Sequence, residues 1–474
     1  IQSLDLLDFE PYLGSLLGLS YPDIEALDPE KRKRKTFEAF SLLSSKTSSK
    51  QPLVLAFEDL HWADTITLEL LEHLVADLEK QPVLICCDYR PELALPFIGR
   101  PNCLSLVLKK LDARETLQMV SGLAQVQDVS EEVLKKIEER TEGNPLFIEE
   151  TIRNLLSRRL VKRDGPNLQA SKRFEKIALP NTVAAMVLGR IDKLSEELRR
   201  TLQYAAVIGK EFDSRLLGKL SGQNPEQIQP VLDNLEYFEG LLYSKLLEGK
   251  RTYEFHSTTT HEAAYSTLLK GRRKELHGQA AQALERDHQK DLYSHYEDLA
   301  YHYYHSKDSD KAVNYLHRAG DKARGLYANP EAVEFYRKGL EVIKLLKESR
   351  PNLLETAELL GAQGAIFRLI GQRDQALKNF ITAAKIAQRG HEDKAERKYL
   401  LSVGIIYDML GQVDKARETM ENVLSQAESK NDHLYKAMAL NNSGHIFLRG
   451  GKTEEAINYF TKALSIFQTL KEEK

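Results

Sequence analysis

Cysteine is scarce in this chain: Cys86, Cys87 and Cys103 are all that 474 residues contain. They are too few and too close together to frame a disulfide scaffold, and the reading is a reducing, cytoplasmic setting. No apolar run reaches membrane-spanning length, and no charged-then-apolar signal segment opens the chain. An excess of basic charge is also missing: Lys and Arg number 67 against 70 Asp and Glu, for a net charge of -3. Without a global basic field, nucleic acid is not the default partner, although a local patch stays open. No Gly-x-x-x-x-Gly-Lys-Ser/Thr segment is present to cradle a polyphosphate on its backbone N–H groups. The first residue is Ile1 and the first recognisable element is already mid-domain, so the expectation is a fragment. The length calls for two to four domains.

Against these absences stands Leu53 to Asp64, LVLAFEDLHWAD, an apolar strand that runs into two adjacent acids and then the only tryptophan. In a P-loop ATPase such acids hold magnesium through water and orient the attacking water, because phosphoryl transfer depends on positioning and charge neutralisation. By position Glu58 would serve the metal and Asp59 the water. The plainer alternative is that Glu-Asp merely ends a strand as a turn. A strand at 52–57, a helix from Thr65 to Glu79 and a strand from Val83 to Asp88 form a βαβ unit, which predicts parallel pairing and a right-handed crossover. Ligands of such sheets sit beyond the carboxyl ends of the strands, where Glu58, Asp59 and Arg90 fall. From Asp112 to about Leu160 the pattern is helical, broken by Glu-Gly-Asn-Pro at 142–145. Leu179 to Leu269 reads as a helical module closed by a hairpin, with Leu241 to Leu247 and Arg251 to His256 flanking Glu248-Gly249-Lys250. Two strands after several helices suggest a winged helix.

Beyond about Arg272 the chain is helical and repetitive. Gly364, Gly404 and Gly444 lie 40 residues apart (404 minus 364), and Ala376, Ala416 and Ala456 keep the same interval, as do Phe380, Met420 and Phe460. Less regular pairs precede them, with Ala312 and Leu316, then Ala332 and Tyr336. The pattern resembles tetratricopeptide repeats, in which small residues let paired helices approach and aromatics fill between them. The usual period is about 34, so longer helices or loops are expected. Such pairs cannot bury their apolar faces alone and should stack into a superhelix with a concave binding face for a protein or peptide. By analogy, Arg368, Asp408, Asn441 and Arg449 face that groove.

FEDLHWAD, CDYRPEL at Cys87 to Leu93 and EGNPLFIEE at Glu142 to Glu150, in that order, resemble the signal-transduction ATPases with numerous domains. The nearest likeness is to the ATPase and repeat modules attached to bacterial class III adenylate cyclases, serine/threonine kinases and LuxR-type regulators. The resemblance implies ATP and ADP as ligands, with magnesium. It places Gly143 and Pro145 near the adenine and ribose, and Arg90 towards the phosphates as a sensor, with a structural salt bridge as the alternative for Arg90. In FHSTTTHEAAYSTLL, Phe255 to Leu269, it makes His256 the candidate that touches the ADP phosphate in a closed state; the alternative is a buried core histidine. His261-Glu262 does not start a zinc-protease motif, since the fifth position is Tyr265 where histidine is required. His295, His302 and His305, interleaved with tyrosines, read as a packed helix face.

The expected fold is therefore an α/β P-loop-type partial domain followed by mostly α structure. Residues 1–111 form a truncated nucleotide-binding domain, 112–177 a helical lid, 178–271 a winged helix and 272–474 the repeat superhelix. The expected function is a regulatory ATPase switch and sensor, its output cyclase, kinase or DNA-binding domain lying outside this stretch. Hydrolysis by the stretch alone is not expected. The rivals are a pure interaction scaffold with a vestigial nucleotide domain, and the sensor part of a LuxR-type transcription regulator.

Overall fold

The computed structural model describes residues 6–16, 19, 21–25, 27–171, 174, 182–247 and 250–472. Glu248 and Gly249 of the expected hairpin turn, and the expected 177/178 boundary, lie outside the described residues. The chain divides into two compact units, Ile1–Asn102 with Lys290–Tyr304 and Asp308–Lys474, and Cys103–Gln289 with His305–Lys307. Both are mostly helical, and three small sheets are formed among the described residues.

In the first unit, β1 (Leu53–Phe57) and β2 (Val83–Cys87) pair in parallel, from Leu53 opposite Val83 to Phe57 opposite Cys87. The helix between them, Thr65–Asp77, starts where Asp64 accepts a hydrogen bond from the Thr67 N–H at 2.7 Å, satisfying one of the donors a helix start leaves orphaned. Leu71, Leu74 and Val75 are its buried face. A helix the sequence reading did not resolve, Pro29–Ser48, packs on both strands and on this helix. Its basic run Lys31 to Lys35 lies on the first turns, and Phe37 and Ala39 are buried. The other face of the sheet is open, with Val54 61% and Leu84 58% exposed, whereas parallel sheets are ordinarily covered on both sides. Arg32 donates to the Gly325 carbonyl at 3.0 Å and the Thr65 N–H to Glu331 at 3.3 Å, which ties this α/β element to the repeats.

The repeats are antiparallel helix pairs: Ser309–Gly325 with Asn329–Ile343, Arg350–Leu369 with Arg373–Arg389, Asp393–Met409 with Val413–Ser429, and His433–Arg449 with Thr453–Glu472. Most helices run 17 to 20 residues, which accounts for the long period. Turns within pairs place Gly371, Gly411 and Gly451 at positive φ, the left-handed stop that frees a helix end without a Cβ clash. The small residue of each first helix lies under a large one of its partner: Gly364 under Phe380, Gly404 under Met420, Gly444 under Phe460. Gly320 under Tyr336 completes the same register one pair earlier.

In the second unit, helices Ala113–Ala124, Glu131–Thr141 and Pro145–Ser157 bury Val120, Ile137, Ile148 and Leu155 in one core. A small sheet joins it, with β3 (Asp128–Val129) parallel to β5 (Asn167–Ala170), which is antiparallel to β4 (Val161–Asp164). Helices Val183–Ile191, Glu196–Ile208, Ser214–Ser221 and Pro225–Asp233 surround a second core with β6 (Glu211–Asp213), β7 (Leu242–Leu247) and β8 (Lys250–Phe255), all antiparallel in the order β6-β8-β7. Helix Lys270–Asp287 belongs to this core, not to the repeats, because it buries Leu276, Ala280 and Ala283 there. The boundary expected at 271/272 thus falls within a helix of the second unit.

Candidate functional site

Glu58, Asp59 and Arg90 lie in the first unit; Gly143, Pro145 and His256 lie in the second. In the first, β1 and β2 deliver all three residues to one end of the sheet. Asp88, directly after β2, sews the strand ends together: its N–H donates to the Phe57 carbonyl at 3.1 Å and its carbonyl accepts from the Leu60 N–H at 3.0 Å. Its carboxylate accepts from the Asp59 N–H at 2.8 Å. These bonds turn the chain sharply at Asp59, which takes φ 54° in the left-handed region, where acidic residues are tolerated better than most. Glu58 is exposed beside it, and the His61 ring approaches the Asp59 carboxylate at 4.0 Å. Trp62 is 73% exposed. Arg90 is exposed and, among the described residues, has no ion-pair partner. The role of Asp88 is not readable in CDYRPEL, since its bond to Asp59 comes from the pairing of two strands distant in sequence.

The single Gly-Lys-Thr string of the sequence, Gly451-Lys452-Thr453, forms the turn between the last two repeat helices, with Gly451 at φ 74°. It follows a helix and not a strand, so it does not replace the missing phosphate loop.

In the second unit, Gly143 has φ 76°, and its carbonyl accepts from the Leu111 N–H at 2.8 Å. A Cβ here would strike the Leu111 carbonyl, so the glycine is needed for this close approach. Pro145 opens the helix Pro145–Ser157, and the Asn144 side chain caps it through the Phe147 N–H at 3.1 Å. Two carboxylates on that helix reach across the unit. Glu149 is 3.4 Å from Nε2 of His256 and takes Arg153 at 2.8 Å. Glu150 is buried and paired with Arg190 at 2.5 Å. The helix that Gly143 and Pro145 introduce thus meets His256, a pairing that residues more than a hundred apart do not announce.

The hydrogen bond from His256, helped by Arg153 and opposed by burial, holds the Glu149 carboxyl down at about 2. Its folded-state value lies below its ordinary one, so its contribution to stability is fully present above about pH 4.3 and is lost as the pH falls towards 2. The expected result is an acid-side loss of stability in this window that Glu149→Gln removes, read from urea midpoints between pH 6 and 2.5. Parallel curves for the two proteins would contradict the pairing.

Of the residues expected in the repeat groove, Arg368 is exposed and Asn441 half-buried. Asp408 is 9% exposed and pairs with Arg449 at 3.3 Å. Equivalent bridges join the first helices of other pairs: His317 to Glu355 at 2.6 Å and Arg397 to Asp432 at 2.8 Å.

Residues 113–165 match a family described as a domain of unknown function (DUF8739), and residues 397–469 match the tetratricopeptide repeat family. The chain is similar to an uncharacterised protein of Rhizobium meliloti, 26% identical over 343 residues that make up 70% of this chain and 32% of that protein. It is also similar to the peroxide stress-activated histidine kinase mak3 of Schizosaccharomyces pombe, 21% identical over 422 residues, 83% of this chain and 17% of that one. It therefore spans less than a third of the length of these curated relatives. Among solved structures, a signal-transduction ATPase with numerous domains and a tetratricopeptide repeat sensor from Pyrococcus horikoshii aligns with 99% of this chain and 74% of its own, at 14% identity and a TM-score of 0.39. No helix among the described residues is long and apolar enough to cross a membrane. The C-terminal helix pairs are tetratricopeptide repeats.

Proposed function

We propose that the chain is the switch and sensor portion of a signal-transduction ATPase, in which nucleotide state and a repeat-bound protein or peptide bias one regulatory equilibrium. The observation that carries this reading is the end of the β1–β2 pair, where Glu58, Asp59 and Arg90 stand together with Asp88 fixing the turn. Histidine-kinase signalling by one of the relatives supports the class. The helices Ala113–Ala124, Glu131–Thr141 and Pro145–Ser157 support the helical lid of this reading, residues 112–177. The order of helix, β6, two helices and the β7–β8 hairpin supports its winged helix, with His256 at the exit of β8.

The residues present fit only half of a magnesium-nucleotide site. Exposed Glu58 at a strand end suits a hydrated magnesium ion, and Arg90 suits phosphate oxygens. Gly143 offers no cradle, since the Leu111 carbonyl fills the place beside it. No hydrolytic step is therefore assigned to these 474 residues. The test is calorimetry with magnesium ATP, where the 474-residue chain should show no micromolar binding. Micromolar affinity would mean that another segment holds the phosphates. In a longer polypeptide that carries a glycine-rich phosphate loop, Asp59→Asn should abolish hydrolysis and spare binding, because the carboxylate positions water. Equal loss of both would make Asp59 structural and favour the scaffold reading, in which the repeats alone act.

A further inference from the structure

Where the first helices Arg350–Leu369 and Asp393–Met409 meet, Arg350 and the N-cap Glu392 pair at 2.7 Å, but a second pair of opposite charges further along stays apart. Glu358 and Lys398 occupy the same place one repeat apart (398 minus 358 is 40), so the stacking sets opposite charges side by side on neighbouring helices. Yet no ion pair closes between them, and Glu358 makes no hydrogen bond or ion pair among the described residues. Between these helices lies a cleft of about 210 Å³ that both residues line. Gly361, Ala362 and Ala365 are among its lining, and the Tyr399 ring lies directly against Gly361.

Two further groups face this cleft without partners. Arg368 lines it, exposed and in no ion pair among the described residues. The Tyr399 hydroxyl is buried, on a side chain only 1% exposed, and has no hydrogen-bond partner among the described residues. A buried polar group without a partner carries a desolvation penalty, which a bound acceptor would relieve. Burial also pushes the Tyr399 phenol above its usual range, so it remains a donor at neutral pH. His317 and Arg324, which also line the cleft, are both paired with Asp321; the cleft presents besides them the unpaired Glu358 carboxylate, Arg368, the Lys398 ammonium 5.2 Å from the Tyr399 ring, and the Tyr399 hydroxyl.

We propose that this cleft is a binding site for a small zwitterion, a free amino acid or dipeptide. Its ammonium group pairs with Glu358, and its carboxylate is held by Lys398 and Arg368 with the Tyr399 hydroxyl. The volume is too small for a nucleotide, and an ordinary anion alone would leave Glu358 unpaired beside it. A ligand with both charges closes the bridge that the protein leaves open. The site goes beyond the nucleotide switch and does not rest on it: it stands on the repeats alone, so absence of ATP binding leaves it untouched.

The test is calorimetry on the 474-residue chain with each of the free L-amino acids and glycylglycine, beside their N-acetylated and amidated forms. At least one free form should bind, and removing either ligand charge should weaken it by about tenfold or more, the equivalent of about 1.4 kcal/mol. Glu358→Gln and Lys398→Gln should each weaken it comparably, and Glu358→Gln should leave the unfolding midpoint unchanged, since Glu358 makes no hydrogen bond or ion pair among the described residues, whereas the Lys398 ammonium lies 5.2 Å from the centre of the Tyr399 ring. No binding by any free form, equal binding of the capped forms, or full affinity in both variants would overturn the proposal. Tyr399→Phe should weaken binding as well. If that variant loses stability, the Glu358 and Lys398 variants decide alone.

Discussion

Arg190→Met is expected to destabilise the second unit by about 3–5 kcal/mol, the effect of stranding a buried carboxylate without its counter-ion. Glu150 is 1% exposed and Arg190 7%. The guanidinium binds Glu150 through one nitrogen and the Glu239 carbonyl through another, so its loss leaves a buried carboxylate and a part-buried carbonyl unmet. The pair joins helix Pro145–Ser157 to helix Val183–Ile191 and to the turn before β7, and so binds the two cores of this unit together. Its desolvation is already part of the folded state, which is why removing both partners costs less than removing one. Glu150→Met with Arg190→Met should therefore recover most of the loss. Trp62 lies in the first unit and cannot report on this event. Hydrogen exchange in the two helices can. Unchanged protection in Arg190→Met would show that the pair is not a fastening of the fold.

The parts of the molecule legible in the sequence are those where one local rule decides. LVLAF and VLICC read as strands because apolar runs flank a helix of the right length, and the parallel pair follows from that order. The repeats read because Gly364, Gly404 and Gly444 keep a strict interval, whereas Gly320 escaped because 44 residues separate it from Gly364 (364 minus 320). The hairpin of β4 and β5 was missed although Asp164-Gly165 is a turn signal, since VKRD and NLQA are too polar to suggest strands. Helix Pro29–Ser48 was obscured by its charged start and serine-rich end; its stability comes from packing on the sheet, not from its own pattern. At the candidate site, the strand-end acids were readable from spacing. The Asp88 bond to Asp59, the contact of Glu149 with His256 and the open Glu358–Lys398 bridge depend on register between elements distant in sequence, which local patterns do not encode.

The register of small residues in the repeats leads to the second large effect, a difference between two glycines in equivalent places. Gly320→Ala should destabilise its helix pair by about 1–3 kcal/mol through overpacking, even though alanine favours a helix by about 1 kcal/mol over glycine. Gly404→Ala should change stability by less than about 1 kcal/mol. A Cβ on Gly320 meets the Tyr336 ring, with Cδ1 at 2.7 Å and Cζ at 2.9 Å. That ring is fully buried and its hydroxyl is tied to Asp321 at 2.7 Å, so it is anchored at both ends and has no open space to enter. A Cβ on Gly404 meets instead the terminal methyl of Met420 at 2.6 Å, with the sulfur at 3.4 Å. An unbranched thioether can turn away by a rotamer change, and the helix gains from alanine offset what strain remains. Hydrogen exchange in Ser309–Gly325 and Asp393–Met409 separates the two sites within one protein. Equal losses at both would show that the backbone spacing of the pairs, and not the stiffness of the residue opposite, sets what the glycine position tolerates.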